Sequence, residues 1–149
     1  MASKSSRSLR GIEIFRSLSD ASLTILEGAC AWRALAAGQR LIGHDDTSDE
    51  VFFVVEGSLR VVIYAPNGRP VLFRAMGPGD VIGEIAAIDR KPRSASVEAA
   101  SRALVAQLDG AAFRALAASE PTVAMALLRQ SIAYVRELSG RVYAFSSLA

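Results

Sequence analysis

Residues 83–97 contain the side chains best suited to chemistry in this chain, and their types suit the binding of an anion. Gly83 lets the backbone approach a ligand closely, and Glu84 opens a short predicted helical turn. Ala86 and Ala87 are small, so the N–H groups at the start of that turn stay uncovered, and such groups bind anions. Arg93 follows at the start of an alternating strand, where its guanidinium could bind two oxygens of the same phosphate. This spacing predicts a phosphate site.

Glu84 adds a second property to the predicted site, because a carboxylate beside a phosphate should repel it. The carboxylate becomes favourable when it accepts a hydrogen bond from a hydroxyl group, and a ribose 2′-OH is such a donor. The residues therefore indicate a phosphate linked to a sugar. Two structural alternatives stay open at this point: Glu84 as an acid favoured by the helix dipole, and Arg93 in a surface ion pair with Asp89 or Glu98.

Short β-rich runs, separated by Gly, Pro, Asn and Asp, fill residues 32–108 and must position these side chains. We predict an α+β fold in which the runs form a small antiparallel β-barrel or jelly roll. Asn67-Gly68 is a strong turn signal and predicts a hairpin between strands at 59–64 and 71–75. Further strands are predicted at 95–99 and 103–108, and helices at 11–16, from Asp20 to about Cys30, after Asp109 and from Glu120 onward.

The last predicted helix is long and carries apolar residues at heptad spacing. That spacing predicts a seam for helix–helix contact. The seam residues are Leu128, Val135, Val142, Leu138 and Phe145. Ser131 interrupts the seam, and Gly140 weakens the helix. The alternative is that this face packs on the barrel of its own chain.

Three motifs, which follow one another along the chain at 51–61, 77–80 and 83–97, resemble those of one family. Residues 83–97 resemble the phosphate-binding segment of the cyclic nucleotide-binding domain superfamily, in the pattern G-E-x-A followed by P-R-S-A-S-V. Residues 51–61 resemble that family's strand-turn-strand around a glycine, and residues 77–80 resemble the turn before its phosphate-binding segment. The resemblance runs from about Ile12 to Val142, and it is strongest to the sensor domain of Crp/Fnr-type bacterial regulators.

The resemblance implies a ligand, which we expect to be cyclic AMP, with cyclic GMP as the alternative. It implies that Glu84 holds the ribose 2′-OH and that Arg93 holds the cyclic phosphate. As a ligand group, the Arg93 side chain is expected to be exposed in the empty protein. Ser94 is expected to add a hydroxyl to the phosphate or to a guanine amino group. Backbone groups of the helical turn are expected to complete the pocket: Gly83, Glu84, Ile85, Ala86 and Ala87.

The base is expected to meet the last helix. By resemblance to the bacterial cyclic AMP receptor protein, Leu138 and Ser139 fall where that helix reaches the base, with the partner subunit as one source of the contact. Tyr134 is an equally reachable candidate for stacking on the base. No metal and no further cofactor are expected.

The expected organisation has three parts: a flexible basic N-terminus at 1–10, a β-barrel domain with short flanking helices at 11–119, and a helix for dimerisation and signal transmission at 120–149. The resemblance implies a homodimer through this helix. Crp/Fnr regulators continue into a helix-turn-helix that reads DNA, and no such element is found here, so a sensor part without DNA binding is expected. The alternative is a dimerising module of the same fold with no nucleotide ligand.

Composition argues against several other classes of function. The net charge of +2 is too small to indicate nucleic-acid binding. Cys30 is the only cysteine and His44 the only histidine, so neither a cysteine-ligated cluster nor a Ser-His-Asp hydrolase is supported, and no enzyme activity is expected. Cys30 itself is expected to be a buried apolar residue. No apolar run reaches the roughly 18 residues that span a bilayer, so a cytoplasmic protein without membrane contact is expected.

Overall fold

The computed structural model describes residues 7–148, without the side chains of Leu72 and Phe73. Within that range the helical elements are a 3₁₀ turn at Glu13–Phe15, α1 (Asp20–Ala29), α2 (Glu84–Asp89), α3 (Gly110–Ser119) and α4 (Pro121–Ser146). The strands of the same range are β1 (Ala31–Leu35), β2 (Arg40–Ile42), β3 (Val51–Glu56), β4 (Leu59–Tyr64), β5 (Pro70–Met76), β6 (Val81–Ile82), β7 (Ser96–Ala99) and β8 (Ala103–Leu108).

The strands form two four-stranded sheets, in the orders β1-β8-β3-β6 and β2-β7-β4-β5, and their paired strands are antiparallel. Apolar side chains from both sheets meet in a shared inner core, to which Phe52 and Val105 contribute from the first sheet and Leu59 and Val97 from the second. This sheet-on-sheet arrangement confirms the predicted α+β jelly-roll fold, flanked by helices and followed by a long helix at its C-terminal end.

Strand β3 is apolar along most of its length because both of its faces are buried. Side chains alternate between the faces of a strand, so Phe52 and Val54 point into the inner core while Val51 and Phe53 point to the other side. On that other side lies an outer core formed with the helices. A strand covered on both faces needs an uninterrupted apolar run rather than an alternating one.

The outer core fixes the helices to the first sheet. Phe53 packs edge-to-face against Phe15 and tilted against Phe113, with ring-centroid separations of 4.8 Å and 6.2 Å. Val123, in the first turn of α4, is fully buried in the same cluster. The start of α4 is therefore held on the barrel by packing. Beyond it the exposure of the helix rises, and Val142 and Phe145 are 69% and 80% exposed.

The predicted local elements agree with the structure in most places. β4 and β5 pair as expected, and Gly68 has the left-handed φ of +85° that their turn needs. Helix α1 begins where predicted, with the Ser22 amide donating to Ser19 Oγ at 3.1 Å. The helix expected at 11–16 is only the 3₁₀ turn.

The described part of the N-terminal segment packs on the fold. Leu9 is fully buried, and its amide donates to Glu27 Oε2 at 2.8 Å. The ordered chain therefore begins before residue 11, since the outer core needs an apolar side chain at this point. The rest of the expected flexible N-terminus, residues 1–6, lies outside the described residues.

Candidate ligand-binding site

The 83–97 segment begins with a glycine that no other residue could replace without strain. Gly83 links β6 to α2 with a left-handed φ of +85°. A Cβ at this position would lie 2.8 Å from Arg93 Nη1 and 2.9 Å from the Glu50 carbonyl oxygen. Both the backbone conformation and the close approach of the arginine therefore require glycine.

A cavity of about 570 Å³ lies between the 83–97 segment, the second sheet and α4. This volume falls within the range of roughly 300–1,000 Å³ that is usual for small-molecule sites. Eight of the ten predicted site residues line it: Gly83, Glu84, Ile85, Ala86, Arg93, Ser94, Tyr134 and Leu138. Residues far apart in sequence are thus brought to one cavity, whose ligand contacts stay predictions.

Arg93 lines this cavity and is buried, with 3% of the residue exposed. Its Nη1 donates to the Gly83 carbonyl oxygen at 3.0 Å, its Nη2 to the Glu50 carbonyl oxygen at 2.8 Å, and its Nε to Ser48 Oγ at 3.2 Å. The expectation that Arg93 is an exposed group in the empty protein is therefore wrong. Its side chain also connects the 48–50 segment and Gly83 to its own segment.

The charge of Arg93 is balanced by nearby acids rather than by the ion pairs considered from the sequence. Glu50 Oε2 lies 3.7 Å from Arg93 Nη2, while Glu98 instead accepts from the Tyr64 hydroxyl at 2.9 Å. Burial lowers the pKa of the Arg93 guanidinium, and the carboxylates of Glu50 and Asp49 oppose that shift. An arginine remains a cation under these conditions, so the cavity holds a fixed positive charge.

Glu84 lines the same cavity and is half-buried. Burial raises the pKa of its carboxyl group, and the nearby Arg74 and Arg93 partly oppose the shift. A carboxylate in this setting gains from a hydrogen-bond donor, because a donor replaces water that burial has removed. The Arg93 cation and a partly desolvated acceptor therefore occupy one cavity, as a sugar phosphate requires.

Two of the predicted site residues do not line the cavity. Ala87 is fully buried and packs in the outer core, and its carbonyl oxygen accepts from Arg114 Nη1 at 2.8 Å. Its side chain is therefore structural. Ser139 is exposed, and its Oγ donates to the Val135 carbonyl oxygen at 2.9 Å. A contact from Ser139 to a base would have to be made in a partner subunit, and it stays a prediction.

Arg74 is a cavity residue that the sequence analysis missed. Its guanidinium carbon lies 3.9 Å from the ring centroid of Tyr134, which joins β5 to α4. The sequence indicated the direction of this side chain. Arg74 lies two residues before Met76 on the same strand, so the two share a face, and Met76 is a buried core residue. Gln130 and Ser131 of α4 also line the cavity and were missed.

Comparison with known proteins decides the family. Residues 32–120 match the model of the cyclic nucleotide-binding domain. The chain belongs to the cyclic nucleotide-binding domain family. It is 37% identical over 113 residues to a cyclic nucleotide-gated potassium channel of Mesorhizobium japonicum, a match that covers 76% of this chain and 30% of the channel.

One further relative of this cyclic nucleotide-binding domain is a regulator, and one solved structure has the same fold. A CRP-like cAMP-activated global transcriptional regulator of Mycobacterium tuberculosis is 28% identical over 92 residues, covering 62% of this chain and 41% of the regulator. The catabolite activator protein of Thermus thermophilus has the same fold, with a TM-score of 0.79 at 22% identity over 90% of this chain and 63% of that protein. The chain spans less than half the length of the channel and the Mycobacterium regulator.

The outer side of α4 in this cyclic nucleotide-binding domain carries an apolar stripe, which we call the outer stripe. Its members are at least 47% exposed: Met125, Leu128, Ile132, Val135 and Val142. Of the predicted seam residues, Leu138 lines the cavity and is half-buried, while Val135 also borders the cavity although 59% of it is exposed. Met125 and Ile132 complete the 3-4 spacing with the predicted Leu128, Val135 and Val142.

A metal-ligand group and a membrane-spanning helix are two further kinds of feature to consider in the described residues. Among residues 7–148 there is no group of three or more metal-ligating side chains. Over the same range no single helix is long and apolar enough to cross a membrane, while α3 and α4 would reach that length and composition only as a pair bent by 108°. Cys30 is half-buried rather than fully buried, and burial together with Glu27 raises its pKa to about 11.

Proposed function

We propose that this domain is a sensor that binds a 3′,5′-cyclic nucleotide without chemical change and transmits its occupancy through α4. The observation that carries the proposal is the meeting of Arg93, Glu84 and the first turn of α2 in one cavity. A guanidinium, an acceptor for a hydroxyl and backbone N–H groups are complementary to a phosphate fused to a ribose.

Arg93 has the donors that this function needs. A guanidinium carries five N–H groups, and within residues 7–148 the structure engages three of them, one on each nitrogen. One N–H remains on each terminal nitrogen, which matches two oxygens of a cyclic phosphate. The three existing bonds fix the guanidinium plane before the ligand arrives, and this lowers the entropy cost of binding.

The base would lie at the α4 end of the cavity, near Tyr134 and Leu138. We keep cyclic AMP as the expected ligand, with cyclic GMP as the alternative. Support for adenine comes from the Mycobacterium relative, whose name describes activation by cAMP. Since the two ligands share the ribose phosphate, Glu84 and Arg93 are expected to bind both.

A calorimetric titration tests the proposal. Saturable binding of cyclic AMP or cyclic GMP with one site per chain is expected, with weaker binding of 5′-AMP, whose open phosphate has a different shape and charge. The 2′-deoxy analogue of cyclic AMP should bind more weakly to the wild type, because it lacks the hydroxyl that Glu84 accepts. An absence of binding by both cyclic nucleotides would leave the alternative, a dimerising module of the same fold without a nucleotide ligand.

We also propose a homodimer through the outer stripe of α4. The stripe is apolar from Met125 to Val135 and resumes at Val142 after Ser139, and exposed apolar surface of this kind favours association. Because Tyr134 and Leu138 lie on the neighbouring face of the same helix, a change in the cavity would reach the stripe within one helical turn. Ser139 lies on the stripe side and could approach the cavity of a partner.

A further inference from the structure

The contact between Arg74 and Tyr134 joins the two sides of the cavity. Arg74 comes from β5 and Tyr134 comes from α4, and both residues line the cavity. The guanidinium carbon is 3.9 Å from the ring centroid, so the cation lies on a ring face. A side chain that arrives from the barrel reaches the face that is turned toward the barrel.

That covered face is the one that a bound base would need. A base held on a ribose phosphate at Glu84 and Arg93 also approaches α4 from the barrel side, and a flat ring gains most from stacking on an aromatic face. The base and the guanidinium are therefore candidates for the same surface. Both cannot lie on it together, because each fills the stacking distance.

We propose that Arg74 competes with the base for the ring of Tyr134, so that the empty site is closed by its own side chain. This inference rests on the proposed nucleotide function. When a nucleotide binds, the guanidinium leaves the ring and its charge moves toward Glu84. Glu84 is close enough to Arg74 for that charge to lower the pKa of its carboxyl group, which gives the displaced cation a partner.

The exchange changes what holds α4. In the empty protein the middle of the helix is tied to β5 through Arg74, and in the occupied protein it is tied to the nucleotide through Tyr134. Occupancy and helix position then share one residue, so each must shift the equilibrium of the other by the same free energy. Arg74 therefore sets the affinity for the nucleotide, and the coupling between nucleotide binding and the position of α4, without contacting the ligand.

Nuclear magnetic resonance of the whole chain tests the exchange directly. In the ligand-free wild type, the side-chain protons of Arg74 should be shifted upfield by the ring current of Tyr134, and Tyr134→Leu should remove the shift. Saturation of the wild type with cyclic AMP should remove the shift as well. A shift that persists at saturation, or that is absent from the free protein, would overturn the proposal.

The affinity for cyclic AMP is a second readout. Removal of Arg74 should raise the affinity if Arg74 competes with the base, and lower it if Arg74 contacts the ligand. Arg74→Ala should bind cyclic AMP about 2- to 5-fold more tightly, because the competing cation is removed. The measurement is made near 1 M salt, where the screening length of about 3 Å suppresses the general attraction between a cation and the phosphate. Arg69→Ala, an exposed cation in the β4–β5 turn, is the matched control and should bind like the wild type.

The outcomes separate this inference from the proposed function. Weaker binding by Arg74→Ala, for cyclic GMP alone or for both nucleotides, would show that Arg74 contacts the ligand and would overturn the competition. The proposed function would survive that result. If neither nucleotide binds the wild type, both proposals fail, and the ring-current shift of the free protein still reports whether Arg74 lies on Tyr134.

Discussion

Replacement of Arg93 by alanine should damage binding and folding together. In the structure this side chain is a ligand group and also a tether, since its guanidinium donates to the carbonyl oxygens of Gly83 and Glu50. Alanine removes the positive charge that faces the cavity. It also leaves these two carbonyl oxygens without the donor that they have in the wild type.

The two effects have different magnitudes. Loss of a charge-assisted contact to a desolvated phosphate costs about 2 to 5 kcal/mol, which is roughly 30- to several-thousand-fold in affinity. Loss of a donor to buried acceptors costs about 1 to 3 kcal/mol of stability. At about 4 °C per kcal/mol, this lowers the Tm of the ligand-free protein by roughly 4 to 12 °C.

Ser48→Ala is the matched control, because it removes a single hydrogen bond, from Arg93 Nε to Ser48 Oγ at 3.2 Å, and keeps the charge. We expect a stability loss of about 0.5 to 1.5 kcal/mol from this control and near-normal affinity. Thermal unfolding without ligand and calorimetric titration below the Tm give the two quantities separately. Unchanged affinity in folded Arg93→Ala would refute the site, and an unchanged Tm would refute the tether.

Three further predictions concern single groups. Burial raises the pKa of Glu84, so the folded state holds the Glu84 proton more tightly than the unfolded state does. The stability of the wild type should therefore fall as the pH rises from the ordinary pKa of 4.5 through the raised one. In denaturant unfolding at several pH values, Glu84→Gln should remove this fall and be more stable than the wild type at neutral pH. In sedimentation, the double variant Val135→Glu with Val142→Glu should be a monomer, whereas the control Ala133→Glu, at an exposed position, should stay a dimer like the wild type. A monomeric wild type would contradict the dimer. Cys30, with its pKa raised to about 11, should react with iodoacetamide at pH 8 far more slowly than a free thiol, and fast alkylation would contradict its burial.

The sequence predicted the fold and most of the residues that share the cavity, because both depend on local patterns. Gly83, Glu84 and Arg93 are close in sequence and have residue types that few other functions need. The burial of Arg93 could not be predicted from them, because its partners Ser48 and Glu50 lie 45 and 43 residues earlier. Such contacts are decided by how two sheets meet.

The long helix shows the same limit. Heptad spacing found Leu128, Val135 and Val142 on the outer stripe, but it could not tell which neighbouring row faces the barrel. Tyr134 and Leu138 are one turn apart and both line the cavity, and Val135 borders it as well, so the side of α4 that faces the cavity overlaps the predicted seam. Arg74 was missed because its role depends on a partner 60 positions later in the chain.

The central claim is that the cavity between the 83–97 segment and α4 binds the cyclic nucleotide. Its most direct test is a titration of isotope-labelled protein with cyclic AMP and with cyclic GMP, followed by the backbone amide resonances. We predict saturable shifts concentrated at residues 83–86, 93–95 and 130–138, with the amides of β1 on the far side of the first sheet little changed. Saturable shifts centred elsewhere, or no shifts with either nucleotide at millimolar concentration, would contradict the claim.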